Sequence, residues 1–229
     1  MLDVIVPVYN ERNTIGCLLA DWDQALRNNR IDYRFLIVED GSTDGTYKEL
    51  KKLQRKYPMY INHSATRRRY GNAVLAGISL ATAPYLFHVD SDGQYDPTDV
   101  SRLWKLRTAS DVVMGVRTKR NDPFVRKFGS FLFSLYFRLL FPSRLKDPST
   151  PFVLYRRSAV IPFQSDLMHC SEAFWWGFSG MCRKRSLSVA EVSIRHTKRI
   201  DGTSRVFSIK TLPAIVMNNT AGLLRLRWA

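Results

Sequence analysis

Three short apolar runs in the first hundred residues each end in an acidic turn and then give way to a stretch with helical spacing. Leu2–Val8 leads through Glu11 into residues 13–26, where Ile15, Leu18, Leu19, Trp22 and Leu26 define one apolar helix face. Residues 33–39 end in Glu39, and a turn at 40–45, opened by Asp40, precedes a polar-faced helix over 46–56. A third strand is expected at 60–63 and a short helix at 71–80. Pro84 then introduces a strand at 85–89, followed by a helix at 99–107 and a strand at 111–116. This alternation predicts the α/β class, a parallel sheet covered by helices.

In an open parallel sheet the carboxyl ends of neighbouring strands line one crevice, and ligands bind there. Glu11, Glu39-Asp40 and the pair Asp90/Asp92 should therefore converge. Asp90-Ser91-Asp92-Gly93-Gln94 sends two carboxylates and an amide oxygen out of the sheet in one turn. That donor set suits a hard divalent cation, Mg2+ or Mn2+, shared with substrate phosphates. A lone D-x-D pair also serves as a helix cap, so the turn does not decide the matter alone.

Charge divides the chain more sharply than hydropathy does. Of 35 Lys+Arg and 20 Asp+Glu, residues 1–114 hold 15 and 14, a net +1, and residues 115–229 hold 20 and 6, a net +14. The basic half is expected to meet an anion: nucleic acid, an anionic membrane surface or a phosphorylated substrate. Arg67-Arg68-Arg69 is too short to argue for nucleic acid and reads as a solvated or diphosphate-facing loop. No zinc finger, helix-turn-helix or aromatic RNA-binding signature accompanies it, so no nucleic acid is expected. Cys17, Cys170 and Cys182 form no CxxC pair, which argues against a disulfide framework or a zinc site and fits a reducing, cytosolic setting. The first residues lack a basic n-region and read as a strand, not a signal peptide. At 229 residues, 45% hydrophobic and 24% charged, the chain can bury an enzyme-sized core unaided.

Residues 124–141 are rich in Phe and Leu but interrupted by Arg126, Lys127 and Arg138, too short and too charged to span a bilayer. Two readings stay open: a helix in the membrane interface, and a helix buried against the sheet. Leu212–Trp228, broken by Asn218, Asn219, Arg225 and Arg227, points to peripheral attachment. His63 and His88 have no second histidine at ligand spacing and read as packed or hydrogen-bonded strand residues. Trp175-Trp176 reads as helix-to-sheet packing, with an aromatic platform for a sugar ring as the alternative.

Four motifs occur in order: Val6-Pro7-Val8-Tyr9-Asn10-Glu11, the run from Glu39-Asp40-Gly41 to Thr46, Gly71-Asn72-Ala73, and Asp90-Ser91-Asp92-Gly93-Gln94-Tyr95-Asp96-Pro97. Together they resemble the family-2 glycosyltransferases of GT-A type, and within them the dolichyl- or polyprenyl-phosphate mannosyl- and glucosyltransferases. The resemblance implies that Pro7, Tyr9 and Glu11 line the nucleotide base and ribose, and that Asp40 bonds the base. It implies that Asp90 approaches the ribose or metal, and that Asp92 and Gln94 bind the metal. Glu39 stands where aspartate is common, and Gly41-Ser42-Thr43 follows the broad family pattern.

The second half resembles the lipid-phosphate branch. Gly115-Val116-Arg117, Arg126-Lys127-x-x-Ser130 and Arg199-x-x-Gly202-x-Ser204-Arg205 imply an acceptor-phosphate site of Arg117, Arg126, Ser130 and Arg199. Guanidinium forks suit phosphate oxygens. Asp147-x-x-Thr150-Pro151-Phe152 resembles the family's Asp-x-x-x-Gly-Phe, with Pro151 in place of glycine. Glu172 stands where a base acts on hydroxyl acceptors.

The expectation is one GT-A domain over 1–205, a nucleotide-sugar half (1–114) and an acceptor half (115–205), with a basic, apolar extension at 206–229. The expected activity is inverting, metal-dependent transfer of mannose or glucose from a GDP- or UDP-sugar to a polyprenyl or dolichyl phosphate, at the cytoplasmic face of a membrane. Asp92, Arg117, Arg126 and Arg199 are its expected catalytic residues. The alternatives are a sugar-hydroxyl acceptor and a non-enzymatic basic module binding membranes or nucleic acid.

Overall fold

The computed structural model describes residues 1–118, 124–197 and 212–228, and leaves aside the side chains of 124–129 and 212–216. Arg199 therefore lies outside the described residues, as does the side chain of Arg126. Among the described residues seven strands, β1 (Leu2–Val8), β2 (Tyr33–Asp40), β3 (Met59–Ser64), β4 (Tyr85–His88), β5 (Val112–Arg117), β6 (Val153–Arg156) and β7 (Val189–Ile194), form one sheet in the order β3-β2-β1-β4-β6-β5-β7. β6 runs antiparallel to both its neighbours, and the other pairings are parallel.

Among the described residues eight α-helices surround the sheet: α1 (Ile15–Asn28), α2 (Thr46–Leu53), α3 (Tyr70–Leu80), α4 (Val100–Leu106), α5 (Phe124–Leu140), α6 (Arg157–Val160), α7 (Phe174–Lys184) and α8 (Leu212–Trp228). Strand side chains alternate between faces. Leu2, Val4, Val6 and Val8 of β1 pack with Ile15, Leu19, Trp22 and Leu26 of α1 on one face, joined by Leu50 of α2 and Leu103 of α4. Ile5 points the other way, to a second core built with Val74 and Ile78 of α3, Phe137 of α5, Phe178 of α7 and Leu223 and Leu226 of α8. The result is three layers, helices on both faces of a mostly parallel sheet, as the alternation predicted.

Two expectations change. β6 was not foreseen as a strand. Its four residues are flanked by Pro151 and by a helix starting at Arg157, and a short apolar run shows no period of its own. The alternatives for residues 124–141 are not exclusive either: Phe137 and Phe141 are buried in the second core, whereas Phe131, Leu132, Leu135 and Leu139 of α5 face outward. No described helix is long and apolar enough to cross a membrane.

Candidate active site

β1, β2 and β4 all deliver their carboxyl ends to one side of the sheet, and the loops that follow are laced together. Asn10 takes a left-handed φ of 55°. Its amide donates to Ser42 Oγ at 2.9 Å, and its side-chain oxygen accepts the Thr43 amide at 2.8 Å. Glu11 is buried; its amide donates to Thr46 Oγ1 and its carboxylate accepts the Thr14 hydroxyl at 2.8 Å. Glu11 thus joins the β1 loop to the start of α1, and Pro7 is buried within β1.

The loop before α3 carries the three arginines, each with a different partner. The Arg67 guanidinium lies over the Tyr9 ring, 4.1 Å from its centroid, an arrangement favoured by the ring quadrupole. Asp40, at the end of β2, accepts the backbone amides of Arg68 (2.7 Å) and Arg69 (3.1 Å) and sits 3.6 Å from Arg68 Nε. Arg69 Nη1 donates to Glu172 Oε1 at 3.0 Å. Tyr9, Asp40 and Glu172 are therefore gathered around residues 67–69, which are not simply solvated. Glu39, fully buried, accepts the Ser42 amide and pairs with His63, which stacks on Tyr47. His63 is thus a hydrogen-bonded strand residue at the edge of the sheet, half-exposed and stacked on one face.

Beyond β4 the chain turns sharply through Gly93, whose φ of 71° is cheap only for glycine. Asp92 Oδ1 accepts the Gln94 amide, and the turn is pinned from outside by the Thr197 amide on the Gln94 carbonyl (2.9 Å) and by Gln94 Nε2 on the Thr197 carbonyl (3.0 Å). Gln94 Oε1 thus remains the group's oxygen donor. Among the described residues no three His, Cys, Asp or Glu side chains gather as a ready-made metal cage. Two carboxylates and an amide oxygen fit the protein's share of a cation that substrate phosphates complete.

His88 lies directly beneath this turn. Nδ1 is 2.7 Å from the Pro151 carbonyl, the ring packs against Trp175, and burial drives its pKa down to about 3. It is a neutral packing residue.

Next to the acidic turn is a basic cleft of about 570 Å³ lined by Arg117, Ser130, Ser134, Arg138, Lys146 and Trp176, among others. The predicted pair Arg117 and Ser130 is thus brought together. Arg117 is clamped by Asp147, with Nε and Nη2 at 2.6 and 2.7 Å, and Nη2 also donates to Ser149 at 2.8 Å. Burial alone would lower the Arg117 pKa, but the Asp147 hydrogen bonds and nearby negative charge, Asp90 included, turn the net shift upward. Arg138 and Lys146 were not anticipated here. The signal for Arg138 was the spacing of Ser130, Ser134 and Arg138, a polar stripe along one helix face.

The fold is that of the GT-A glycosyltransferases. Glucosyl-3-phosphoglycerate synthase from Mycobacterium tuberculosis, crystallised with Mn2+, UDP and phosphoglyceric acid, matches at a TM-score of 0.71 and 15% identity, covering 99% of this chain and 78% of that one. The chain belongs to glycosyl transferase family 2, whose model matches residues 3–162. It is 29% identical to a dolichol-phosphate mannosyltransferase of Pyrococcus furiosus, over 69% of this chain and 47% of the relative. It is 26% identical to an undecaprenyl-phosphate 4-deoxy-4-formamido-L-arabinose transferase of Pectobacterium carotovorum, over 92% of this chain and 64% of that protein. The chain thus spans about half to two thirds of the length of these relatives.

Proposed function

We propose that the chain transfers a hexose from a nucleotide sugar, a GDP- or UDP-hexose, to a polyprenyl or dolichyl phosphate. The observation that carries this reading is the contiguity of the two charged regions. Asp90 of the acidic turn is hydrogen-bonded to Tyr70 and Tyr70 to Trp175, and the next residue, Trp176, lines the basic cleft around Arg117. An anionic acceptor and a diphosphate donor would meet at that seam. The names of the two lipid-phosphate relatives support it.

In this reading Tyr9 and Arg67 flank the nucleotide, and Asp40 acts mainly through the loop it holds. Asp90, Asp92 and Gln94 would hold a divalent cation, whose charge would offset that developing on the departing nucleoside diphosphate. Arg117, Ser130, Arg138 and Lys146 would grip the acceptor phosphate, joined by Arg126 and Arg199. One phosphate oxygen attacks the anomeric carbon as the bond to the donor diphosphate breaks, and the bonding pair leaves with the nucleoside diphosphate. The nucleophile is already anionic and needs no strong base. Holding both reactants in register supplies much of the rate.

The outward apolar row Phe131, Leu132, Leu135 and Leu139 on α5 flanks the same cleft, so the lipid would be met at a membrane surface, its cytoplasmic face in this reading. A hydroxyl acceptor is the second reading. Glu172, held beside the loop at 67–69 by Arg69, is favoured as its base by that position.

The test is release of GDP or UDP from a panel of nucleotide sugars with Mn2+ or Mg2+, with and without a short polyprenyl phosphate. Release that needs both metal and lipid phosphate, and is abolished in Asp92→Asn, is expected. Release indifferent to the lipid would move the assignment to a hydroxyl acceptor, and no release from any donor would refute the reading.

A further inference from the structure

Tyr70 opens α3 opposite the acidic turn, and its hydroxyl lies 2.7 Å from Asp90 Oδ1. Trp175 Nε1, on α7, lies 2.8 Å from the same hydroxyl oxygen. An indole nitrogen donates and cannot accept. The Tyr70 oxygen therefore accepts from Trp175, and its own hydrogen is the one aimed at Asp90. The row of bonds has a single polarity, Trp175 to Tyr70 to Asp90, and each bond strengthens the next.

Groups outside the acidic turn fix where Tyr70 stands. Arg69, the residue before it, holds φ 74° and ψ 159°, a conformation uncommon for any residue but glycine. Asp40 retains it by its amide and Glu172 by its guanidinium. Gly71, the residue after it, is pressed onto the Ser171 backbone. Trp175 is buried against His88, Phe174 and Phe178, so its N–H has little freedom of direction.

We propose that Tyr70 is a positioning residue. Its hydroxyl sets the orientation of the Asp90 carboxylate, and Trp175 sets the hydroxyl, so a helix of the basic half adjusts the cation-holding turn of the acidic half. Tyr70 is not alone in meeting Asp90. The inference rests on the donor-site reading given above.

Calorimetric titration of UDP and of GDP, each with Mn2+, tests it on the full chain, comparing wild type, Tyr70→Phe, Asp90→Asn, the double variant and Trp175→Phe. Tyr70→Phe keeps the ring and should weaken Mn2+-dependent nucleotide binding about tenfold, the usual scale for a hydrogen bond to a charged group, while still unfolding cooperatively at a melting temperature lowered by the Trp175 N–H left without its acceptor. In the Asp90→Asn background the same change should cost nothing further, because the hydroxyl acts through that carboxylate. Trp175→Phe should lose affinity in the same direction by less.

Unchanged affinity in Tyr70→Phe would overturn the proposal, and so would an undiminished tenfold loss in the Asp90→Asn background. If Tyr70→Phe does not fold, unchanged affinity in Trp175→Phe overturns it instead. A wild type that binds neither nucleotide would instead remove the donor-site reading on which the proposal stands.

Discussion

Gly71→Ala is the sharpest test of how the site is assembled. A Cβ built on Gly71 would stand 2.2 Å from the Ser171 carbonyl oxygen, 2.6 Å from its Cα and 2.7 Å from its carbonyl carbon. All three are backbone atoms, so no side chain can swing away. Ordinary contact requires the start of α3 and the segment at 171 to part by about 1 Å, and overpacking of that kind costs roughly 1–3 kcal/mol. With backbone on one side the upper figure applies, which for a chain of this length lowers the melting temperature by roughly 6–12 °C. Gly16, also helical, has nothing within 4 Å of the equivalent position. Gly16→Ala should therefore stabilise, by up to about 1 kcal/mol through helix propensity alone. Thermal unfolding of both variants beside wild type checks the pair. Gly71→Ala melting within about 2 °C of wild type would refute the argument.

Asp147→Ala leaves Arg117 buried without its carboxylate and should cost about 3–5 kcal/mol in chemical denaturation. His88 has a folded pKa of about 3 against an ordinary 6.5, so the unfolded chain takes up the proton first as pH falls. Stability present above pH 6.5 is lost as pH drops toward 3, about 2 kcal/mol of it between pH 7 and pH 5. His88→Asn, which can still donate to the Pro151 carbonyl, should flatten that slope, as denaturation at several pH values would show. Leu135→Glu with Leu139→Glu changes two outward side chains and should leave the melting temperature nearly unchanged. Sedimentation with anionic vesicles at low salt should fall sharply, and undiminished sedimentation would count against α5 as the membrane-facing helix.

The acidic turns were legible because strand, turn and helix signals are local, and a parallel sheet brings the carboxyl ends of its strands together whatever the connections. The arginines at 67–69 were not. Three identical neighbours look like one solvated run, and only tertiary placement assigns one to Tyr9, one to Asp40 and one to Glu172. Tyr70 was missed for a related reason: an aromatic residue at the start of a helix reads as packing, and its hydroxyl gains meaning only from Trp175 and Asp90, far away in sequence. Helical period located α5 but could not say which side is covered, because both sides are apolar. β6 escaped because three successive buried residues, Val153 to Tyr155, carry no alternation to detect.

The insertion of β6 between β4 and β5 also sets the order in which the molecule can be completed during synthesis. β4 can pair with β1 as soon as it emerges, but its other edge waits for Val153–Arg156. At ribosomal speeds of about 5–20 residues per second, the roughly 65 residues between them impose a delay of roughly 3–13 s. Throughout that interval the nascent chain carries the acidic turn at the end of an unsealed strand edge, and β5 has no link to the rest of the sheet. The change in charge near residue 114 is therefore no seam at which the polypeptide could be divided into two independently folding pieces, since the strand that joins the halves is made last of the three.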